Sequence, residues 1–460
     1  FMLHKAEVQV AHENGGRKPA QGQKHSEDKA FQQYPHVDDE SEEKPETIVI
    51  TSPHALMYAD YFHISPGKSA KGSFAQFHAP QVQFEAPYDQ DFVKTLAEIA
   101  SQRNIPAGTI GDRSPFLDHG TMIPLYFLKD LLPQVPIVRI GLSGMPMEAH
   151  YALGQAITET SKRLGRRTVL IASGDLSHKL KEDGPYGFDA SGPKFDALVT
   201  EALGRGDFLP ILDMDADMAE GAAECGLRSL WIMAGAFDLR QVSAELLSYE
   251  GPFGVGYGVA WLEPGNLDAE RALGMKAREH KLARIKERRE NEDAYVHLAR
   301  LSLENFVKSR TTLPLPVDTP SFLTDRRAGA FVSLKKDGRL RGCIGTIMAT
   351  KKNLAEEIIG NAVSAGLHDP RFSPVEVEEL SELVYSVDVL GEIEPIASPE
   401  ELDVHRYGVI VKSGERQGLL LPDLAGVDTV EEQISIAMQK GHISPKEEIQ
   451  LFRFEVVRHH

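Results

Sequence analysis

The chain has 460 residues, with 50 Lys and Arg against 68 Asp and Glu, and a formal net charge of −18. That length exceeds one ordinary core and predicts two or three domains. The acidic balance argues against nucleic acid as a partner, because phosphate binding needs concentrated cationic side chains. No apolar run reaches the roughly 18 residues of a spanning helix, so no membrane association is expected. The two cysteines, Cys225 and Cys343, lie far apart and give no disulfide framework. With no apolar secretory stretch at the start, this fits a reducing cytoplasm.

Residues 5–46 are strongly polar and read as loop or solvated helix. The first clear strand is TIVITS (47–52), a short β-branched run of the kind buried in parallel sheets. Further strands are predicted over 135–143 and 168–175, with helical patterns over 91–104 and 147–165 between them. This alternation predicts an α/β domain built on a mostly parallel sheet, with ligands at the C-terminal strand ends. A Gly-rich strand over 251–265 closes the domain, and a highly charged stretch over 266–290 reads as a linker helix. The remainder predicts an α+β domain. Its strands fall at 328–347, 382–396 and a hairpin over 407–422 turning at SGERQG, and its helices at 354–368 and 430–441. The expected division is therefore 1–265, 266–290 and 291–460.

Three loops of the first domain carry histidine: SPHAL with His54, LDHG with Asp118 and His119, and ASGDLSH with Ser173, Asp175 and His178. A lone loop histidine is usually a surface or hydrogen-bonded residue. Three at the edge where such folds bind ligands indicate a site. A fourth segment, AEGAAECGLRSLWIMAGAF (219–237), holds Glu220, Glu224 and Cys225 before an apolar helix. The two acids are four apart and are expected on one helix face. The plain alternative is negative charge favoured near a helix N-terminus.

TSPHALMYADYFHISPG, GSFAQFHAPQVQFEAPYDQDF, LDHGTMIPL, ASGDLSH and ECGLRSLWIMAGA, in that order over roughly 45–263, resemble the LigB-type family. These are catalytic subunits of class III extradiol ring-cleaving dioxygenases, with the Memo proteins as relatives. LRGCIGTI (340–347) and AGLHDPRFSPV (365–375) resemble the AMMECR domain. The two together are similar to the bacterial and archaeal AmmeMemoRadiSam association, whose usual third member, a radical-SAM protein, is the implied partner.

The resemblance implies a non-haem Fe(II) site, or another divalent metal, acting on a small catecholic or related aromatic substrate. Two histidines and one glutamate would hold the metal and leave open positions. His54 matches one histidine ligand. Glu224 matches the carboxylate, with Glu220 as the alternative, and Cys225 matches the cysteine that Memo-like relatives place there. His178 matches the acid/base histidine that exchanges a proton with the substrate hydroxyl. His119 matches a second histidine on the substrate side, with Asp118 orienting it. The remaining ligand belongs to a PHPP-like motif that FMLHKAEVQVAH lacks. His4 is nearest by position, and His12, His63 and His78 are the alternatives. A Memo-like binding protein without ring cleavage is the second reading, and a homo-oligomer is compatible with either.

In the second domain, Arg341, Cys343 and Arg371 are candidates to line a groove for an anion or partner, with Arg339 at strand period two from Arg341. The plain alternative is a small buried cysteine and an Asp369–Arg371 contact closing a helix end.

Overall fold

The computed structural model describes residues 45–128, 135–424 and 426–460. His4 and His12 lie outside the described residues. The chain divides into two units, residues 1–281 and 282–460.

In the first unit, β1 (Thr47–Ser52) is buried along its whole length. A hairpin of β2 (Ser69–Phe74) and β3 (Ala79–Pro87) follows, then helices α1 (Gln90–Gln102) and α2 (His119–Leu128). β4 (Ile137–Gly141), helix α3 (Met147–Leu164) and β5 (Thr168–Ala172) come next. β1 lies between β4 and β5, parallel to both, with Ile48 opposite Ile137 on one side and Val169 on the other. A central parallel strand meets side chains on both faces, which is why TIVITS shows no polar alternation. One face packs Val49, Val138 and Ile140 with Phe92 and Leu96 of α1 and Leu153 and Ile157 of α3. The other packs Ile48, Ile50, Ile137 and Ile171 with Met122 of α2.

After β5 come α4 (Ser191–Arg205), the short α5 (Ala216–Ala222) and α6 (Leu227–Ala236). β6 (Arg240–Glu250) and β7 (Tyr257–Leu267) then form a long antiparallel ribbon. The strand expected over 251–265 thus starts at Tyr257 and has an unanticipated partner in β6. The sequence signal for it is the alternation of apolar Val242, Ala244 and Leu246 with polar Gln241, Ser243 and Glu245, and the apolar set is the half-buried face of β6. α7 (Leu273–Glu290) lies within the charged stretch, and its Leu273 and Ala277 are buried in the first unit's core.

The second unit has α8 (Ala294–Ser309), the hairpin β8 (Ala330–Lys336) and β9 (Arg339–Gly345), and α9 (Leu354–Leu367). β10 (Val384–Leu390), β11 (Glu394–Ile396), β12 (Tyr407–Ser413), β13 (Arg416–Leu420), α10 (Val430–Lys440) and β14 (Gln450–His459) complete it. They make a seven-stranded antiparallel sheet in the order β9-β8-β10-β14-β12-β13, with β11 pairing β14. α8 and α9 bury Leu298, Leu303, Ile358 and Ala362 against Val332, Val387 and Val389 of the sheet. Among the described residues no helix is long and apolar enough to cross a membrane.

Candidate metal centre

Because β1, β4 and β5 run parallel, their last residues, Ser52, Gly141 and Ala172, share one edge of the sheet. The loops leaving that edge carry the chemistry. The turn after β1 places His54 against His119, the first residue of α2, with ring centroids 3.8 Å apart and Phe77 edge-on to His119 at 5.7 Å. The loop after β5 places Asp175 and His178 together, with Oδ2 and Nε2 3.5 Å apart. The turn before α6 brings Cys225, whose Sγ accepts the Asp175 backbone N–H at 3.1 Å.

The donor atoms of Asp175, His178 and Cys225 lie within 4.8 Å of one another. Asp175 Oδ1 and His178 Nε2 are buried and make no hydrogen bond among the described residues. Buried polar atoms are usually paired, so two orphans in one cluster need an explanation. Glycine permits this closeness. At Gly174 φ is +153°, and a Cβ there would stand 2.4 Å from Gly226 Cα. The loops are further tied by Ser229 Oγ donating to Ser173 O and Ser173 Oγ donating to Gly120 O, both at 2.7 Å.

The charged groups of the two pairs also act on one another. Partial burial, followed by the adjacent His119 imidazole, holds the His54 pKa below its ordinary value, with Asp118, Asp175 and His178 as further influences. His54 is therefore neutral at cellular pH, the form that ligates metals. Burial, and then the Asp175 carboxylate, push the Cys225 thiol up to about 12. A cation reverses that preference, since a coordinating thiol is deprotonated. Tyr186, well exposed, stacks on His178 at 5.1 Å.

Several expected residues sit elsewhere. Glu224 and Glu220 do not share a helix face, because α5 ends at Ala222 and the next residue, Ala223, turns left-handed with φ +52°. Glu220 is exposed. Glu224 accepts the Leu227 N–H, the first of α6, at 2.6 Å, and like His54 it is not one of the three mutually close donors. Asp118 spends its carboxylate on partners other than His119. It accepts Ser52 Oγ–H at 2.5 Å and both N–H and Oγ–H of Thr121 at 3.0 Å, and pairs with buried Arg139 at 3.3 Å. His63 is buried near Tyr58 and His78 is exposed, and neither belongs to the group.

In the second unit the arginines are already engaged. Arg341 pairs with Glu379 at 2.9 Å and donates to Ser373 O. Arg371 pairs with Asp369 at 2.7 Å and donates to Cys343 O, while the Cys343 N–H donates to Asp369. Both guanidinium groups are therefore already paired with a carboxylate within the unit, and the Cys343 N–H of the edge strand β9 is satisfied by Asp369.

Residues 12–260 match the family described as the catalytic LigB subunit of aromatic ring-opening dioxygenase. The chain belongs to the LigB family. Residues 296–459 match the AMMECR1 family, so a LigB domain and an AMMECR1 domain are fused in one chain. A protein of Clostridium acetobutylicum is 41% identical over 431 residues, covering 90% of each chain. A Thermotoga maritima protein is 49% identical over 36% of this chain and 98% of its own. An uncharacterized Pyrococcus horikoshii protein of known structure is 32% identical, covering 36% of this chain and 88% of that chain, with a TM-score of 0.34.

Within the LigB domain, the residue to which sequence reasoning gave no role is Asp175. The signal was present: an aspartate three residues before His178, directly after an apolar strand, stands at the ligand-binding edge.

Proposed function

We propose that the strand-end cluster of the LigB domain is a non-haem metal site of the aromatic ring-opening type, taking Fe(II) or another divalent cation and a small catecholic substrate. The observation that carries this is the group Asp175, His178 and Cys225, with two buried donor atoms left without hydrogen bonds. Carboxylate, imidazole and thiolate suit a borderline divalent cation, so the residues present fit one. Cys225 and Asp175 would hold it, with the neutral His54 completing the set from the β1 side. Bound there, Fe(II) supplies Lewis acidity and a path for electrons.

The chain's own residues do the rest. His119 backs His54 and fixes its ring. His178, whose Nε2 has no hydrogen bond, takes the proton of a substrate hydroxyl and returns it later. Tyr186 shields the outer face of that imidazole.

The test is anaerobic loading with Fe(II), addition of a panel of catechols, then exposure to air with the spectrum followed. A coloured ring-opened product from wild type is expected. His178→Ala should keep wild-type iron content and lose turnover, whereas Cys225→Ser should lose iron. No product from any catechol contradicts the reading. Iron loss in His178→Ala as complete as in Cys225→Ser makes His178 a ligand and refutes its proton role.

A further inference from the structure

We infer that Asp196, on α4 and outside the site, is the positioning residue that sets the Asp175–His178 loop for cation binding. This rests on the metal reading above. Asp196 is 1% exposed, and nothing in its sequence setting, a helix interior, points to the site. Its Oδ1 accepts the backbone N–H of Ser177 at 2.8 Å, the residue between Leu176 and His178. Its Oδ2 accepts the Tyr249 hydroxyl at 2.7 Å, which fixes the carboxylate plane from the β6–β7 ribbon.

The same short loop is held from two more sides. Ser177 Oγ and His178 N both donate to Ala222 O at 3.0 Å, and Gly256 N donates to Ser177 O at 2.7 Å. Ala222 ends the helix that leads directly into the Cys225 turn. Loop and turn are thus registered against each other by one carbonyl, and Asp196 supplies the opposing anchor. Position 256 must be glycine for this to work, since a Cβ there would meet Asp196 Oδ2 at 2.0 Å.

Such an outer group matters because ligands held by a second layer of hydrogen bonds lose roughly 10- to 100-fold in metal affinity when that layer is removed. Removing the Asp196 carboxylate frees Ser177 N–H and Tyr249 O–H and lets Asp175 and His178 drift from Cys225. An asparagine can still accept from Ser177 and bond Tyr249, so it should restore the geometry.

The experiment uses the full chain and Co(II) as probe, following the visible absorption that a cobalt–thiolate site gives. Asp196→Ala should bind Co(II) about tenfold or more weakly with an altered band. Asp196→Asn should recover both affinity and band shape. Asp89→Asn serves as control, because Asp89 is a buried carboxylate of the same unit tied to Thr47 and Phe92. It should lower the unfolding midpoint and leave the band unchanged. If wild type shows the band and Asp196→Ala shows the same band and affinity, the positioning role is wrong while the metal reading stands. If wild type shows no cobalt–thiolate band, the metal reading fails and this inference falls with it.

Discussion

Replacing Asp118 by Ala should destabilise the LigB domain severely. Asp118 and Arg139 have side chains only 10% and 5% exposed and lie 3.3 Å apart. At an effective dielectric near 20 their attraction is about 5 kcal/mol. Removing one partner of such a buried pair strands the other charge and costs about 3–5 kcal/mol. Loss of the acceptor for Ser52 and Thr121 adds roughly 1 kcal/mol for each bond. The sum is a large share of the roughly 5–15 kcal/mol that holds a domain folded. Both tryptophans, Trp231 and Trp261, lie in the first unit, so tryptophan fluorescence in a urea titration follows that unit alone. The double change Asp118→Leu with Arg139→Met removes both charges and should recover most of the loss. A loss below about 1 kcal/mol for Asp118→Ala, or no recovery in the double variant, would refute the stabilising role of the buried pair.

Three further outcomes follow from the same contacts. Glu224→Ala should cost roughly 1 kcal/mol, as for loss of a helix cap, with metal content unchanged; loss of metal would restore Glu224 as a ligand. In metal-free protein Cys225 should alkylate slowly with iodoacetamide at pH 8, because its thiol is held protonated to about pH 12; rapid modification seen by mass spectrometry would contradict that. In the second unit, the Arg371 guanidinium holds the Asp369 carboxyl well below the ordinary carboxylate range. A depressed carboxyl stabilises above its unfolded value near 4 and loses that contribution as pH falls toward its folded value. The circular-dichroism transition not shared by tryptophan fluorescence should therefore weaken as pH drops below about 4, and Asp369→Asn should flatten the dependence. An unchanged pH profile in that variant would assign the acid sensitivity to other groups.

The architecture was legible because its determinants are local. TIVITS and the apolar runs before Gly141 and Ala172 could only be buried strands, and their parallel order places His54 and the Asp175–His178 loop at one edge without further information. The pairing of His54 with His119, and the standing of His178 in the loop after β5, follow from those same strand ends. What escaped was set by tertiary partners or by backbone breaks. The left-handed Ala223 separates Glu224 from Glu220's helix, and a four-residue spacing cannot show that. Asp118 looked like an orienting acid until Arg139, 21 residues on, took its charge. Arg341 looked like an anion reader until Glu379, in a short 3-10 helix 38 residues on, paired with it.

The most direct test of the metal site is X-ray absorption on the zinc-loaded full chain. One sulfur scatterer near 2.3 Å with nitrogen and oxygen near 2.0–2.2 Å is expected, the sulfur disappearing in Cys225→Ser. A wild-type spectrum fitted by light scatterers alone would contradict it.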